Sequence, residues 1–393
     1  MPGSVIVSGA RTPIGKLNGA LGSLPATDLG GVAIRAALER GGVRPDQVDY
    51  VLMGQVLLAG AGQITARQAA AKAGIPMTVP ATTINKVCPS GLHTIYLADL
   101  MIQAGDAEII VAGGQESMTQ APYLLPGARA GYRAGDQKVV DSMMYDGLTD
   151  AFDHLAMGLS TERYNEAGPH ISRERQDAFA AASHERAAAA IKDGRLADEI
   201  TPVTIPSRKG DVVVETDEGV RPETTVESLS RLAPAFSDNG TITAGNASQI
   251  SDGAAAVVVM SSEAATRLGL VGLGKVVAYG QVAGPDTSLL TQPSRAILTA
   301  LGRRGLSLTD VSLFEINEAF AAVALASMEE LGIGDDVVNV NGGAIALGHP
   351  VGMSGTRIAL SLLLELRRRG GGIGAAALCG GGGQGDALIV KSL

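Results

Sequence analysis

Cys88 and Cys379 are the only cysteines in the chain, and each is set against a glycine-bearing turn. Cys88 lies in Asn85-Lys86-Val87-Cys88-Pro89-Ser90-Gly91. Cys379 opens Cys379-Gly380-Gly381-Gly382-Gly383-Gln384-Gly385. His349, one of five histidines, stands between them in Gly348-His349-Pro350. Two thiols and one imidazole, each closing an apolar run, are suited to making and breaking thioesters.

A thiol attacks as thiolate, so its surroundings decide its use. Pro89 can take the first position of a helix, where its missing N–H costs nothing. Cys88 then lies at the positive end of a helix over 90–104, a position that lowers a thiol pKa. A buried structural cysteine fits the same residue, and the position alone does not separate the two. The glycines around His349, from 342 to 355, let backbone or ligand approach closely. A loop histidine bonded to backbone is the plainer alternative. The glycines after Cys379 leave backbone N–H groups free to face an oxyanion or a pyrophosphate. Asn317 opens Asn317-Glu318-Ala319-Phe320, where its amide either polarises a carbonyl or caps a helix. His93, His154, His170 and His184 lie in ordinary contexts and read as structural or surface residues.

The elements that must position these groups repeat faintly along the chain. Residues 46–54 and 310–317 each end a helical stretch and enter a short apolar strand, and a helix follows each. In the front half, a strand over 82–87 leads to the helix over 90–104 and a strand over 107–112. In the back half, 337–340 reads as a strand, 355–369 as a helix and 374–378 as a strand. Leu92, Ile95, Ala98, Met101 and Ile102 recur at helical spacing, and Gly105 stops that helix. Ser354 is placed to cap its counterpart, and 358–366 is apolar nearly all round, as in a helix buried on every side. Alternating strands and helices give a parallel or mixed sheet covered by helices. The stretch 117–246 is richer in charge, Gly and Pro. It contains one charged helix over 173–192, with Ser172 to cap it, and a hairpin turn at 208–211. It reads as an insertion over the site, or as a surface decoration.

Bulk properties narrow the class. A chain of 393 residues holds two or three packed units. With 46% hydrophobic and 18% charged residues it is globular. The net charge of -9 argues against a nucleic-acid partner but says little about a small anionic ligand. Aromatic residues are 3% with no Trp, which disfavours base-stacking platforms. Two distant cysteines make neither a disulfide framework nor a four-ligand zinc cluster, and no metal site is expected. Residues 1–11 lack a basic run followed by an apolar stretch, and no run is fit to span a bilayer. A cytoplasmic protein with reduced thiols is the expectation.

Taken together, Asn-x-x-Cys-x-Ser-Gly, Asn-Glu-Ala-Phe, Gly-Gly-Ala-Ile-Ala-Leu-Gly-His-Pro-x-Gly-x-Ser-Gly and Cys-x-Gly-Gly-Gly-x-Gly occur in this order. They closely resemble the motifs of the thiolase family. The opening Ala10-Arg11-Thr12-Pro13-Ile14-Gly15, Gly113 to Met118 and Thr243 to Ser248 match as well, so the likeness runs from about residue 4 to the end. The resemblance implies a fold of two pseudo-repeated βαβαβαββ halves in a layered α/β/α/β/α core with an inserted loop domain. The halves would be 1–118 with 249–270, and 271–393; the loop domain would be 119–248.

The resemblance also implies an activity, acetyl-CoA C-acetyl transfer, in which two acetyl-CoA exchange reversibly with acetoacetyl-CoA plus CoA. Cys88 would carry the acetyl group, His349 would take its proton, and Cys379 would move the α-proton. One oxyanion hole would come from His349 and a water held by Asn317, the other from the N–H groups of Cys88 and Gly381. For coenzyme A it implies Ser248 and Ala244 near the pantetheine and Arg221 near the adenine end, with Met157 and Phe320 lining the acyl pocket. CoA thioesters are then substrates, and no cofactor, metal, nucleic acid or membrane is called for. A dimer or tetramer is implied, with 121–150 in the tetramer contact.

The chain departs from the family pattern at Ala156, where many members carry His, at Pro89, at Ala283, in a 284–293 stretch that looks longer, and at Gln384. These touch the pocket and its rim, and so the acyl chain length. A 3-ketoacyl-CoA thiolase of broader range in fatty-acid breakdown is the near alternative. A decarboxylating condensing enzyme of the same fold would use one Cys with two His, or His and Asn, and Cys379 argues against it. A non-catalytic acyl-CoA binder would not need all four of Cys88, Asn317, His349 and Cys379.

Overall fold

The apolar runs become one mixed sheet. The structure, a computed structural model, describes residues 3–393; the first two residues of the 1–118 half and of the 1–11 stretch lie outside it. Ten strands make the main sheet. From one edge the order is Leu313–Ile316, Ile373–Gly380, Gln384–Ser392, Gly274–Ala283, Ser4–Arg11, Ser251–Ser261, Ile109–Ser117, Tyr50–Gly54 and Ala81–Ile84. Gly15–Lys16 pairs beside Ser251–Asp252. Among the described residues, the two sides of the sheet join at Val5↔Lys275 and Ile6↔Gly274.

The sheet shows the internal repeat. On one side Tyr50–Gly54 runs parallel to Ile109–Ser117, which pairs antiparallel with Ser251–Ser261. On the other, Leu313–Ile316 runs parallel to Ile373–Gly380, which pairs antiparallel with Gln384–Ser392. A short 3-10 turn precedes each first strand, Pro45–Gln47 and Leu308–Asp310. The expected strand over 337–340 is a correction. Only one bridge forms there, between Phe314 and Val338. Asn339 turns into the left-handed region at φ 47°. Its side-chain amide takes over the ladder, donating to Ile316 O and accepting from Ile316 N–H, both at 2.8 Å.

Two buried helices form the middle layer. Ser90–Ala104 and Ser354–Arg368 share one apolar cluster with strand residues from both sides of the sheet, among them Leu52, Ile110, Val257, Ala376 and Leu388. They approach at their first turns, where only glycine fits. A Cβ on Gly91 would lie 2.7 Å from Thr356 Oγ1, and one on Gly355 would lie 2.2 Å from Leu92 N. The positive ends of both helices therefore meet at one place. Ala26–Gly41 and Thr65–Lys72 pack on the outer face of one side, and Gln292–Gly302 and Ala321–Leu331 on the outer face of the other. The order is helix, sheet, helix, sheet, helix.

Residues 119–248 leave the sheet after Ser117 and return beside it, since Ser117 faces Asp252. The segment holds Arg173–Lys192, where Ser172 Oγ accepts from Arg175 N–H as expected of a cap. It also holds the hairpin of Val203–Ile205 and Val212–Val214 around the 208–211 turn. No helix among the described residues is long and apolar enough to cross a membrane.

Candidate active site

Each chemical residue sits where an element ends. Cys88 lies in the turn between Ala81–Ile84 and Ser90–Ala104. Val87 before it is held at φ 52°, a left-handed conformation that a β-branched residue resists. Local bonds enforce it. Lys86 N–H donates to Ser90 Oγ at 2.8 Å, Val87 N–H to Asn85 Oδ1 at 3.0 Å, and Ser90 Oγ–H to Val87 O at 2.6 Å. Cys379 is fully buried near the end of Ile373–Gly380. The two loops touch, for a Cβ on Gly380 would lie 2.9 Å from Pro89 Cδ and one on Gly381 3.4 Å from Val87 Cγ1. Among the described residues, no backbone carbonyl accepts from the N–H of Cys88 or Gly381.

Asn317 does not cap a helix. The following helix is Ala321–Leu331, and Phe320 stands at its cap. Asn317 is instead buried beside the Cys379 strand, its N–H donating to Ala377 O at 2.9 Å. Its Nδ2–H donates to His349 Nε2 at 3.4 Å, and its Oδ1 has no partner. Ser354, expected as a cap, is the first residue of its helix, with Met353 at the cap. Its hydroxyl donates to Pro350 O at 3.0 Å and accepts from His349 Nδ1–H at 2.6 Å. Both contacts give the same tautomer: the proton is on Nδ1 and the lone pair of Nε2 faces Asn317.

The electrostatics correct one expectation. The helix end does not leave Cys88 a thiolate. The residue keeps a partly exposed surface, but burial among protein atoms, aided by the Glu116 carboxylate, pushes its thiol up to about 12. Burial holds Cys379 well above the usual thiol range, and the nearby Cys88 adds to this. Burial, with Arg357 helping, pushes His349 down to about 3. The resting site therefore holds two neutral thiols and a neutral imidazole. Such an imidazole can accept the thiol proton as the sulfur attacks.

A mostly apolar cavity of about 470 Å³ opens beside this group. His349, Met157, Phe320, Ala244, Ser248 and Arg221 all line it. Ala156 lies next to Met157 in the wall, and Phe236 meets Phe320 edge to face at 6.1 Å. Cys88 packs against a small cluster that includes Met118 and Val351, which also face the cavity. Sequence reasoning missed two residues here. Lys16 joins Arg221 on the wall, fixed by register beside Ser251, whose Oγ accepts His349 N–H at 3.2 Å. Its position after the matched Arg11-Thr12-Pro13-Ile14-Gly15 segment was the available signal. Glu116 is the other. It accepts from the N–H groups of Val56, Leu57 and Gly352 at 2.9–3.1 Å, tying the loop after His349 to the neighbouring strand end. Burial raises it to about 7.

These motifs are shared widely. The family model described as "Thiolase, N-terminal domain" matches residues 4–263, and "Thiolase, C-terminal domain" matches 270–392. The chain is 58% identical over 393 residues, all of both chains, to the "Probable acetyl-CoA acetyltransferase" of Mycobacterium tuberculosis. It is 54% identical over 390 residues, 98% of each, to the acetyl-CoA acetyltransferase of Cupriavidus necator. The crystal structure of the Bacillus anthracis acetyl-CoA acetyltransferase matches with a TM-score of 0.97 at 41% identity, covering 100% of this chain and 99% of that one. The chain belongs to the thiolase family and is an acyltransferase with the layered thiolase fold.

Proposed function

We propose that this chain is an acetyl-CoA C-acetyltransferase. What supports the reading is the convergence of two protonated thiols and one neutral imidazole beside a cavity lined by the expected CoA-side residues. In cleavage, His349 Nε2 takes the Cys88 proton as sulfur attacks the 3-keto carbon of acetoacetyl-CoA. The C2–C3 bond breaks, the acetyl group stays on Cys88, and Cys379 protonates the departing acetyl-CoA carbanion. A CoA thiol then attacks acetyl-Cys88: the Cys379 thiolate takes its proton, the bond from the acetyl carbon to Cys88 breaks, His349 returns its proton to the Cys88 sulfur, and acetyl-CoA leaves. On this reading the N–H groups of Cys88 and Gly381 hold the tetrahedral oxyanion, and His349 with a water held by Asn317 holds the enolate oxygen. The chemistry calls on no cofactor beyond the CoA thioesters. A cytoplasmic dimer or tetramer completes the reading. The exposed apolar side chains Tyr123, Leu125, Val139 and Tyr145 in the 121–150 segment support a subunit contact.

The test is turnover together with adduct mass. Purified protein should release acetyl-CoA from acetoacetyl-CoA and CoA, and brief exposure to acetyl-CoA should leave one acetyl group on the Cys88 peptide. No release, or acetyl on another residue, ends the reading. Turnover on longer 3-ketoacyl-CoAs, run alongside, decides between this activity and the broader chain-length alternative.

Lys16 gives a further expectation. With Arg221 it offers cationic groups at the cavity to a substrate that carries phosphates. Lys16→Glu should raise KM for acetoacetyl-CoA about fivefold, with kcat held, because trading attraction to a phosphate for repulsion at an exposed position costs about 1 kcal/mol. The same variant should leave KM for acetoacetyl-N-acetylcysteamine, which has no phosphate, unchanged. An equal change with both substrates would remove Lys16 from the phosphate end.

A further inference from the structure

Beside the two sulfurs lies a buried polar cluster to which the mechanism gives no part. Lys86 Nζ donates to Asp386 Oδ1 at 2.7 Å, Asp386 Oδ2 at 2.8 Å and Gln281 Oε1 at 2.8 Å. The Tyr279 hydroxyl donates to the same carboxylate. His93 Nδ1 lies 3.2 Å from the Tyr279 oxygen and 3.6 Å from Asp386 Oδ2, and Tyr96 stacks on Tyr279 at 4.1 Å. Asp386 is fully buried and the Lys86 side chain is 17% exposed. Desolvation offsets most of what such a pair contributes, so its presence is poorly explained by stability alone.

Its place in the fold gives a better account. Lys86 stands two residues before Cys88. Asp386 lies on the last strand, opposite Leu378, the neighbour of Cys379. One end of the ion pair is therefore on the nucleophile loop and the other on the hairpin that carries the second sulfur. The Cys88 turn itself is held by Ser90 and Asn85, which do not involve Asp386. What the pair adds is a fixed separation between the two loops. Resting on the function proposed above, we propose that the Lys86–Asp386 ion pair sets the spacing of Cys88 and Cys379, so that both sulfurs reach one substrate. Lys86 and Asp386 are positioning residues for the step that uses Cys379.

The two half-chemistries separate this from a general structural role. Exchange of acetyl between acetyl-CoA and labelled CoA needs Cys88 and His349. Thiolysis of acetoacetyl-CoA needs Cys379 as well. In Lys86→Met, thiolysis should fall on the order of 100-fold, the scale of a misplacement near 1 Å, while exchange holds within about threefold. Lys86→Arg keeps a positive charge facing Asp386 and should recover at least about tenfold of the lost thiolysis relative to Lys86→Met. Lys86→Met/Asp386→Asn leaves no buried charge unpaired, should show the same split, and replaces the single variant if that one does not fold. A direct measure of spacing accompanies the kinetics. Arsenite, which bridges two neighbouring thiols, should bind the parent enzyme at least about tenfold more tightly than Lys86→Met, since a lost bridge removes one of two linked bonds. Thiolysis and exchange falling together, thiolysis unchanged, or equal arsenite affinity would each overturn the proposal. A parent enzyme with no thiolysis counts against the function itself, and the arsenite comparison still judges the pair.

Discussion

Cys88→Ala should bind CoA nearly as tightly as the parent and lose turnover of acetoacetyl-CoA by on the order of 10⁴-fold or more, the range seen when a covalent nucleophile is removed. The reasons lie in the site. No second thiol can substitute, because Cys379 is fully buried on its strand and its thiol is held well above the usual range. The residues proposed to meet CoA, Arg221, Ala244 and Ser248, line the cavity wall and would remain in the variant. Binding and chemistry should therefore part cleanly. Calorimetry with CoA and a steady-state assay on one preparation measure both. Turnover within tenfold of the parent would refute the nucleophile assignment.

His349→Asn should slow thiolysis by about 10³-fold, within the usual worth of a positioned general base. The parent's pH profile carries the sharper statement. With His349 pushed down to about 3 and Cys88 up to about 12, neither group changes charge between about pH 5 and 10. Rate over KM should be flat through that range as far as these two groups govern it. An acid limb centred near 6.5 that His349→Asn abolishes would show an imidazole far less buried than this one. The same shift acts on stability. The folded value lies below the ordinary 6.5, so the unfolded chain takes up a proton that the folded chain refuses. This contribution is intact above about 6.5 and is lost as pH falls towards 3. Glu116 acts with the opposite sign: its folded value of about 7 exceeds the ordinary 4.5, and its contribution fades as pH rises between them.

The fold and the chemical residues were largely legible because they rest on local signals. Hydrophobic periodicity marked Ser90–Ala104, and Ser172 marked the start of Arg173–Lys192. What was not legible depended on contacts distant in sequence. Residues 337–340 have the composition of a strand, but Asn339 replaces the ladder with its own side chain, which no pattern of apolar residues reveals. Ser354 has the type and position of a cap, yet its hydroxyl serves His349. The helix end beside Cys88 was visible, whereas the protein packed around the sulfur, whose burial raises the thiol, was not. Lys16 and Glu116 lie beside or within matched motifs, but register and tertiary packing, respectively, are what bring them to the site.

The sheet's narrow waist, two residue pairs at Val5↔Lys275 and Ile6↔Gly274, divides the reacting groups unequally. One lobe supplies Cys88; the other supplies Asn317, His349 and Cys379. On the proposed chemistry neither lobe holds a complete set of reacting groups, so in a refolding experiment turnover should return with the docking of the two lobes, later than the far-ultraviolet dichroism of their helices.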